Sequence, residues 1–243
     1  MAQPFREHGD KKSIPYRSAL LTDWQIRFED KDRIVFRAGK PADVLSSAVY
    51  GGGWRKADHL VNWKVPLSFD CTDPVAMMQR QLNVWGYPEQ STSGLQTAAH
   101  LTHASVAEEQ GDGYKLLVCS TAGTSNAARA GQPRTTFAAY RAGTINIVVI
   151  MEGRMAASAM VNAVITISEA KAAALQDAGI VDTENGLSAT GTTTDAVALA
   201  VTQTGPEELE HRYAGAATAI GNAIGRLVYL TVSEAVRTQK EDA

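Results

Sequence analysis

Residues 144–151 read TINIVVIM, an apolar run dominated by β-branched side chains. Apolar on both faces, it predicts a strand in the interior of its sheet. Working outward, residues 155–178 predict the longest helix, stopped by Gly179, and AVALAVT (196–202) predicts another strand. A last helix follows over 215–237. Upstream, KLLVCS (115–120) reads as a strand, while 95–110 reads equally as helix or strand. Asp73-Pro74 opens a helix that runs to Trp85 and ends at Gly86, because aspartate caps and proline suits the first turn. In LSSAVYGGGWRKADHLVNWKVP (45–66) three glycines separate two short strands, and RFEDKDRIVFRAG (27–39) predicts a hairpin turning at Lys31–Asp32. Residues 1–18 read as a polar, partly disordered arm. With no internal repeat and no linker, residues 19–243 predict one α/β (or α+β) domain. A central mixed sheet is flanked by helices, beside a strand-rich N-terminal portion.

The 243 residues are 44% hydrophobic and carry a net charge of −3, which suits a globular core. The absence of a basic run argues against nucleic acid and anionic membranes as partners. No apolar segment has the length of a membrane span or a secretory h-region, so a cytoplasmic location is expected. Cys71 and Cys119 lack paired spacing and read as reduced, buried thiols.

Two stretches resist explanation by packing. One is Glu169, a lone acid in the apolar TISEAKAAAL. At 100° per residue, Val161, Val164, Ile165, Ser168, Ala172 and Leu175 share one stripe of roughly 100°. Ser158, Asn162, Thr166 and Glu169 share a second stripe beside it. A helix so apolar is expected to be covered on most sides, its polar stripe facing a pocket or a partner. Lys171, two residues away, points the other way from Glu169. The alternative is a Glu169 that accepts backbone hydrogen bonds from a neighbouring loop.

The other is ATGTTTD (189–195), with hydroxyls at Thr190, Thr192, Thr193 and Thr194, a flexible Gly191 and the carboxylate of Asp195. It suits a polar ligand and general-base work, or a loop that caps the next strand. A threonine nucleophile freed by cleavage at Gly191-Thr192 is a further option. TAGTSNAARAG (121–131) turns at Ser125-Asn126, where Asn126 either donates to an oxyanion or forms an ordinary turn. Gly51, Gly52 and Gly53 beside Trp54 allow close approach and stacking on a flat ligand, and His59 is the best-suited histidine for acid–base work. A lone tryptophan is more often a packing residue, and a lone histidine more often a satisfied structural one. His100 and His103 offer a weak metal pair without a third ligand, so no metal site is assigned. No phosphate-binding, dinucleotide or serine-hydrolase motif is present. The small residues Gly215, Ala219, Gly221 and Gly225 suit tight packing, with a homodimer through this helix as an option.

One topological requirement follows. TAGTSNAARAG and MEGR (151–154) follow their strands, whereas ATGTTTD precedes one. Were the three strands parallel, a shared pocket would need strand 196–202 to run antiparallel, or the 180–194 segment to travel back.

Taken in order, AGTSNAARAG, GTINIVVIMEGRMAASAMVNAVITISEAKAAALQDAGI, ATGTTTDAVALAV and YAGAATAIGNAIGRLVYLTVSEAV resemble the adenosylcobinamide amidohydrolases. GGGWRKADHLVNWKVP followed by DCTDP adds to the likeness, which spans about 40–237. The resemblance implies a corrinoid-salvage enzyme that cleaves the amide between the corrin ring and its aminopropanol arm. It implies no cofactor of its own, since cobalt arrives within the substrate. On that basis Glu169 or Asp195 is expected as general base on water. Asn126, Thr192 and the 190–194 amides would hold the oxyanion, and His59 would protonate the amine. Gly51–Gly53, Trp54, Asn62 and Asn146 would contact the corrin, and Ser125, Asn162, Thr190, Gly191, Thr193 and Thr194 complete the expected binding set. The alternative is a corrinoid-binding module without catalysis.

Overall fold

The computed structural model describes residues 2–6, 11–66, 68, 72–136 and 143–241. In chain order come β1 (Ser13–Tyr16), β2 (Trp24–Glu29), β3 (Arg33–Ser46) and β4 (Gly53–Lys64). Then follow α1 (Pro74–Trp85), β5 (Thr92–Thr97), β6 (Ser105–Gly111) and β7 (Tyr114–Ala122). The remainder is β8 (Ala127–Ala128), β9 (Ile145–Gly153), α2 (Ala157–Asp177), β10 (Gly191–Thr192), β11 (Ala196–Val201) and α3 (Ala219–Thr238). The large mixed sheet runs β1-β2-β3-β11-β9-β7-β6, with β4 branching from β3 and carrying β5. No helix among the described residues is long and apolar enough to cross a membrane.

The local signals act as their chemistry dictates. Asp73 caps α1 by accepting the Ala76 amide at 2.9 Å, and Gly86 ends it in the left-handed conformation. The β2–β3 hairpin turns one residue earlier than expected, on Asp30 and Lys31, both at positive φ. Arg33 gathers Glu29, Asp30 and Asp32 around that turn at 2.8–3.2 Å. The ambiguous 95–110 segment divides between the end of β5, a single 3₁₀ turn and β6. Among the described residues of the expected polar arm, β1 pairs with β2, Ala2 bridges Val106, and Phe5 is fully buried. Cys119 is a buried free thiol; Cys71 lies outside the described residues.

β9 is central because both its faces are buried. Ile145, Ile147, Val149 and Met151 meet α2 and α3, while Val148 and Ile150 meet Phe36, Leu60 and Leu117 on the far side. β9 runs parallel to β11 and antiparallel to β7. The expected requirement on strand 196–202 is therefore corrected: β7, not β11, is the reversed strand. That reversal sets the end of β7 beside the starts of β9 and β11, so segments 121–128, 143–144 and 190–195 share one end of the sheet. MEGR lies at the other end, where the Ala156 amide bonds the His211 carbonyl at 3.0 Å.

The expectation that α2 is covered on most sides is corrected in part, for of the apolar stripe Leu175 is buried but Val161 and Ile165 are not. Ala159, Met160, Ala163, Thr166 and Ile167 are buried, whereas Val161 and Ile165 are about half exposed, at 54% and 51%. The polar stripe meets a loop: Asn162 accepts the Ala214 amide at 2.9 Å and Thr166 donates to the Ala214 carbonyl at 2.8 Å. Alanines on the inner face, set among Met160 and Ile167, let α2 and α3 approach closely, and Val161 and Ile165 are left on the outer face.

A second ribbon walls this end. β8 pairs antiparallel with β10, and the buried Asp182 fastens the ribbon to the loop before it. Its carboxylate accepts the Arg129, Glu184 and Asn185 nitrogens at 2.9–3.1 Å and pairs with Arg134 at 2.8 Å. These donors, led by the Arg129 amide, hold the Asp182 carboxyl below the usual carboxylate range.

Two expectations test this architecture. In urea unfolding, Ile167→Ala loses about 2–5 kcal/mol, while Ile165→Ala on the open face changes stability by about 0.5 kcal/mol or less. Because the folded-state pKa of Asp182 is depressed, its contribution is complete above the ordinary carboxylate pKa, about 3.9. It is lost as pH falls through the lower folded value. Wild type is therefore more stable than Asp182→Asn at neutral pH, and the two thermal midpoints converge on acidification.

Candidate functional site

A cavity of about 1140 Å³ opens at the sheet end where these segments meet. Its walls are the end of β5, the β8–β10 ribbon with residues 134–136, residues 143–144, and the outer face of α2. The α2 side chains turned to it are Val164, Ile165, Ser168, Glu169, Lys171 and Ala172. At 100° per residue they span roughly 160°, with Lys171 at one edge and Glu169 at the other.

Asp195 is the centre of the site. Its Oδ1 accepts the Ile145 amide at 3.1 Å and the Thr192 hydroxyl at 2.5 Å. Its Oδ2 accepts the Thr192 amide at 3.0 Å and the ammonium of Lys171. Both side chains of the Lys171–Asp195 pair are only 13% exposed. The pair passes directly over Gly191, where a Cβ would meet Asp195 Oδ2 and Lys171 Nζ, so a side chain there would displace the pair.

The other hydroxyls of the loop shape the wall. Thr194 donates to the Gly143 carbonyl and Thr144 donates to the Thr194 carbonyl, each at 2.6 Å. Asn126 donates to Thr193 at 2.6 Å, and Thr190 accepts the Ala130 amide at 2.9 Å. Behind the wall Asn146 donates to Asn62 at 2.7 Å and to the Gln96 carbonyl at 3.0 Å, and Asn62 donates to Thr121 at 3.1 Å.

The expected site residues divide accordingly. Glu169, Thr190, Gly191, Thr192, Thr193, Thr194 and Asp195 all line the cavity. Glu169 is exposed at its lip and, among the described residues, makes no hydrogen bond or ion pair, so the premise of a buried lone acid is corrected. Asn62 and Asn146 are buried beneath the floor rather than facing a ligand, and Asn126 clamps the threonine loop. Ser125 and Asn162 lie outside the lining. So do Gly51, Gly52, Gly53, Trp54 and His59. Gly51 turns the chain from β3 to β4 at positive φ beside the Thr92 carbonyl, and Trp54 is 48% exposed on β4. His59 is buried on β4, with Nδ1 2.7 Å from Asp58 and its ring against Tyr87. The rings of His100 and His103 lie 5.6 Å apart, tilted at 59°, and the described residues hold no group of three metal-binding side chains.

Lys171 is the residue that the sequence reading set aside. Its position opposite Glu169 was legible; its partner Asp195, on a distant loop, was not. Together the cluster offers a fixed carboxylate, a hydroxyl and an ammonium at the floor of one cavity. Such a set can accept a proton from an attacking oxygen and return one to a leaving nitrogen.

Sequence comparison identifies the family. The adenosylcobinamide amidohydrolase (CbiZ) family model matches residues 19–243. The adenosylcobinamide amidohydrolase of Methanosarcina mazei is 30% identical over 209 residues, covering 84% of this chain and 94% of its own. An uncharacterised protein of Methanocaldococcus jannaschii is 29% identical over 259 residues, covering 98% of each. Among solved structures a Burkholderia sp. beta-aminopeptidase aligns with a TM-score of 0.44 at 10% identity, covering 93% of this chain and 81% of that one. With the family model spanning all but the first residues of the chain, this protein belongs to the adenosylcobinamide amidohydrolase family.

Proposed function

We propose that the protein hydrolyses the amide joining the aminopropanol arm to the corrin ring of adenosylcobinamide, releasing adenosylcobyric acid and aminopropanol for cobamide salvage. The observation that carries this reading is the Lys171–Asp195–Thr192 cluster at the floor of a large cavity, in a chain of this family. At about 1140 Å³ the cavity exceeds the roughly 300–1,000 Å³ typical of small-molecule sites, which favours a ligand as large as a corrinoid. Val49, Val65 and Ile165 offer apolar contact to the macrocycle, and Gln96, Thr97 and Thr135 offer partners for its peripheral amides. The cobalt is substrate, carried in by the corrin.

Amide hydrolysis requires an oxygen nucleophile, stabilisation of the tetrahedral oxyanion, and a proton for the departing amine. In this site Asp195 takes the proton of the attacking oxygen. The Lys171 ammonium, hydrogen-bonded to that carboxylate, offsets the developing negative charge and then protonates the leaving nitrogen. Excluding bulk water from so enclosed a pair strengthens both effects. Glu169, exposed at the lip, takes no proton in this scheme.

Incubation of purified protein with adenosylcobinamide, followed by liquid chromatography with mass detection, is expected to yield adenosylcobyric acid. Asp195→Asn is expected to lower kcat by about 10²–10⁴-fold, and Glu169→Gln to leave it within a few-fold of wild type. Absence of product from the wild type, or full activity of Asp195→Asn, rejects the reading.

A further inference from the structure

We infer that the oxygen that attacks the amide is the side-chain hydroxyl of Thr192, so that the reaction passes through an ester between Thr192 and the corrinoid acyl group. This rests on the hydrolase reading above and names the nucleophile it leaves open.

The first argument is occupancy. An ionised carboxylate has about four acceptor positions, and those of Asp195 are met by the Ile145 amide, the Thr192 hydroxyl, the Thr192 amide and the Lys171 ammonium. A water molecule has to displace one of these donors before Asp195 can deprotonate it. The Thr192 hydroxyl is already in place, with Oγ1 2.5 Å from Oδ1. The second argument is discrimination among the loop's hydroxyls. Thr190, Thr193 and Thr194 each bond a neighbouring wall group, and Thr192 alone points its hydroxyl at a charged residue of the cavity. The third is access. Gly191 adds no side chain between the Lys171–Asp195 pair and the cavity, and a β-branched threonine holds a narrow range of χ1. Nucleophile, base and a third group that orients the base form the arrangement expected of covalent catalysis.

The proton balance closes. Asp195 takes the Thr192 hydroxyl proton as Oγ1 bonds to the amide carbon. Lys171 gives a proton to the amide nitrogen, the C–N bond breaks, and aminopropanol leaves. The proton on Asp195 then passes along the existing hydrogen bond to Lys171, restoring the pair. Departure of the arm makes room for water, which attacks the ester carbon. Its proton passes through Asp195 to Thr192 Oγ1 as the C–O bond breaks. The net change is amide plus water to carboxylic acid plus amine.

The test uses the intact protein with adenosylcobinamide, with and without hydroxylamine, and compares wild type with Thr192→Val and Thr192→Ser. Valine keeps the shape and removes the nucleophile. The covalent route predicts a loss of about a thousandfold or more for Thr192→Val in protein that remains folded at the assay temperature, as its thermal unfolding curve checks. It also predicts measurable turnover by Thr192→Ser and a corrinoid hydroxamate from the wild type. Direct attack by water predicts the opposite for valine, since the vacated position on Asp195 admits a water molecule. Wild-type turnover together with an active Thr192→Val and no hydroxamate overturns the covalent route and leaves the hydrolase reading intact. Absence of any wild-type turnover overturns both.

Discussion

The carboxylate of Asp195 joins three parts of the fold at one point. It receives the first amide of β9, the amide and hydroxyl of the β10 turn, and the ammonium of α2. Charges this enclosed are stable only as a pair, because removal of one partner strands the other at a cost of about 3–5 kcal/mol. The interaction therefore constrains sequence beyond its own residues. Gly191 must lack a side chain, and α2 must present Lys171 rather than an aliphatic residue on its outer face. β7 must also run against its neighbours, so that its exit loop returns to the same end of the sheet.

Beneath that charged pair lies a neutral network of unusual depth. Asn62 and Asn146 are 2% and 1% exposed, yet their amides find each other, Thr121 and the Gln96 carbonyl. Buried amides without partners are expensive, and a satisfied network has few alternative arrangements. The floor of the cavity is thus positioned by hydrogen bonds of fixed direction, where a wholly apolar floor would permit sliding. This accounts for asparagine in the middle of TINIVVIM without assigning it a ligand.

Much of the fold was legible because its signals are local. The Asp73 cap, the glycine stop at Gly86, the hairpin and the two-faced apolarity of β9 each depend on neighbours a few residues away. The threonine loop was legible for the same reason, since four hydroxyls and an acid around a glycine have no use in a core. What escaped reading depends on distant partners. The outer stripe of α2 is as apolar as a core stripe because it lines a cavity, and periodicity cannot separate a cavity from a core. Lys171 looked isolated when compared only with Glu169. The glycine run, Trp54 and His59 look like a site in sequence, but they belong to a turn and a strand pairing elsewhere, and Asn126 serves as a clamp.

The placement of β11 has a consequence for biogenesis. This strand is among the last elements of the chain, yet it lies between β3 and β9, antiparallel to one and parallel to the other. Until residues 196–201 have left the ribosome, both flanking strands present open edges, and the nascent chain has no continuous sheet. Closure then depends on contacts between residues more than 150 positions apart, such as Ser46 with Ala198, a topology that slows folding. The insertion that completes the sheet also delivers Asp195 to its partners, so the chain acquires its chemistry only in the step that seals its interior.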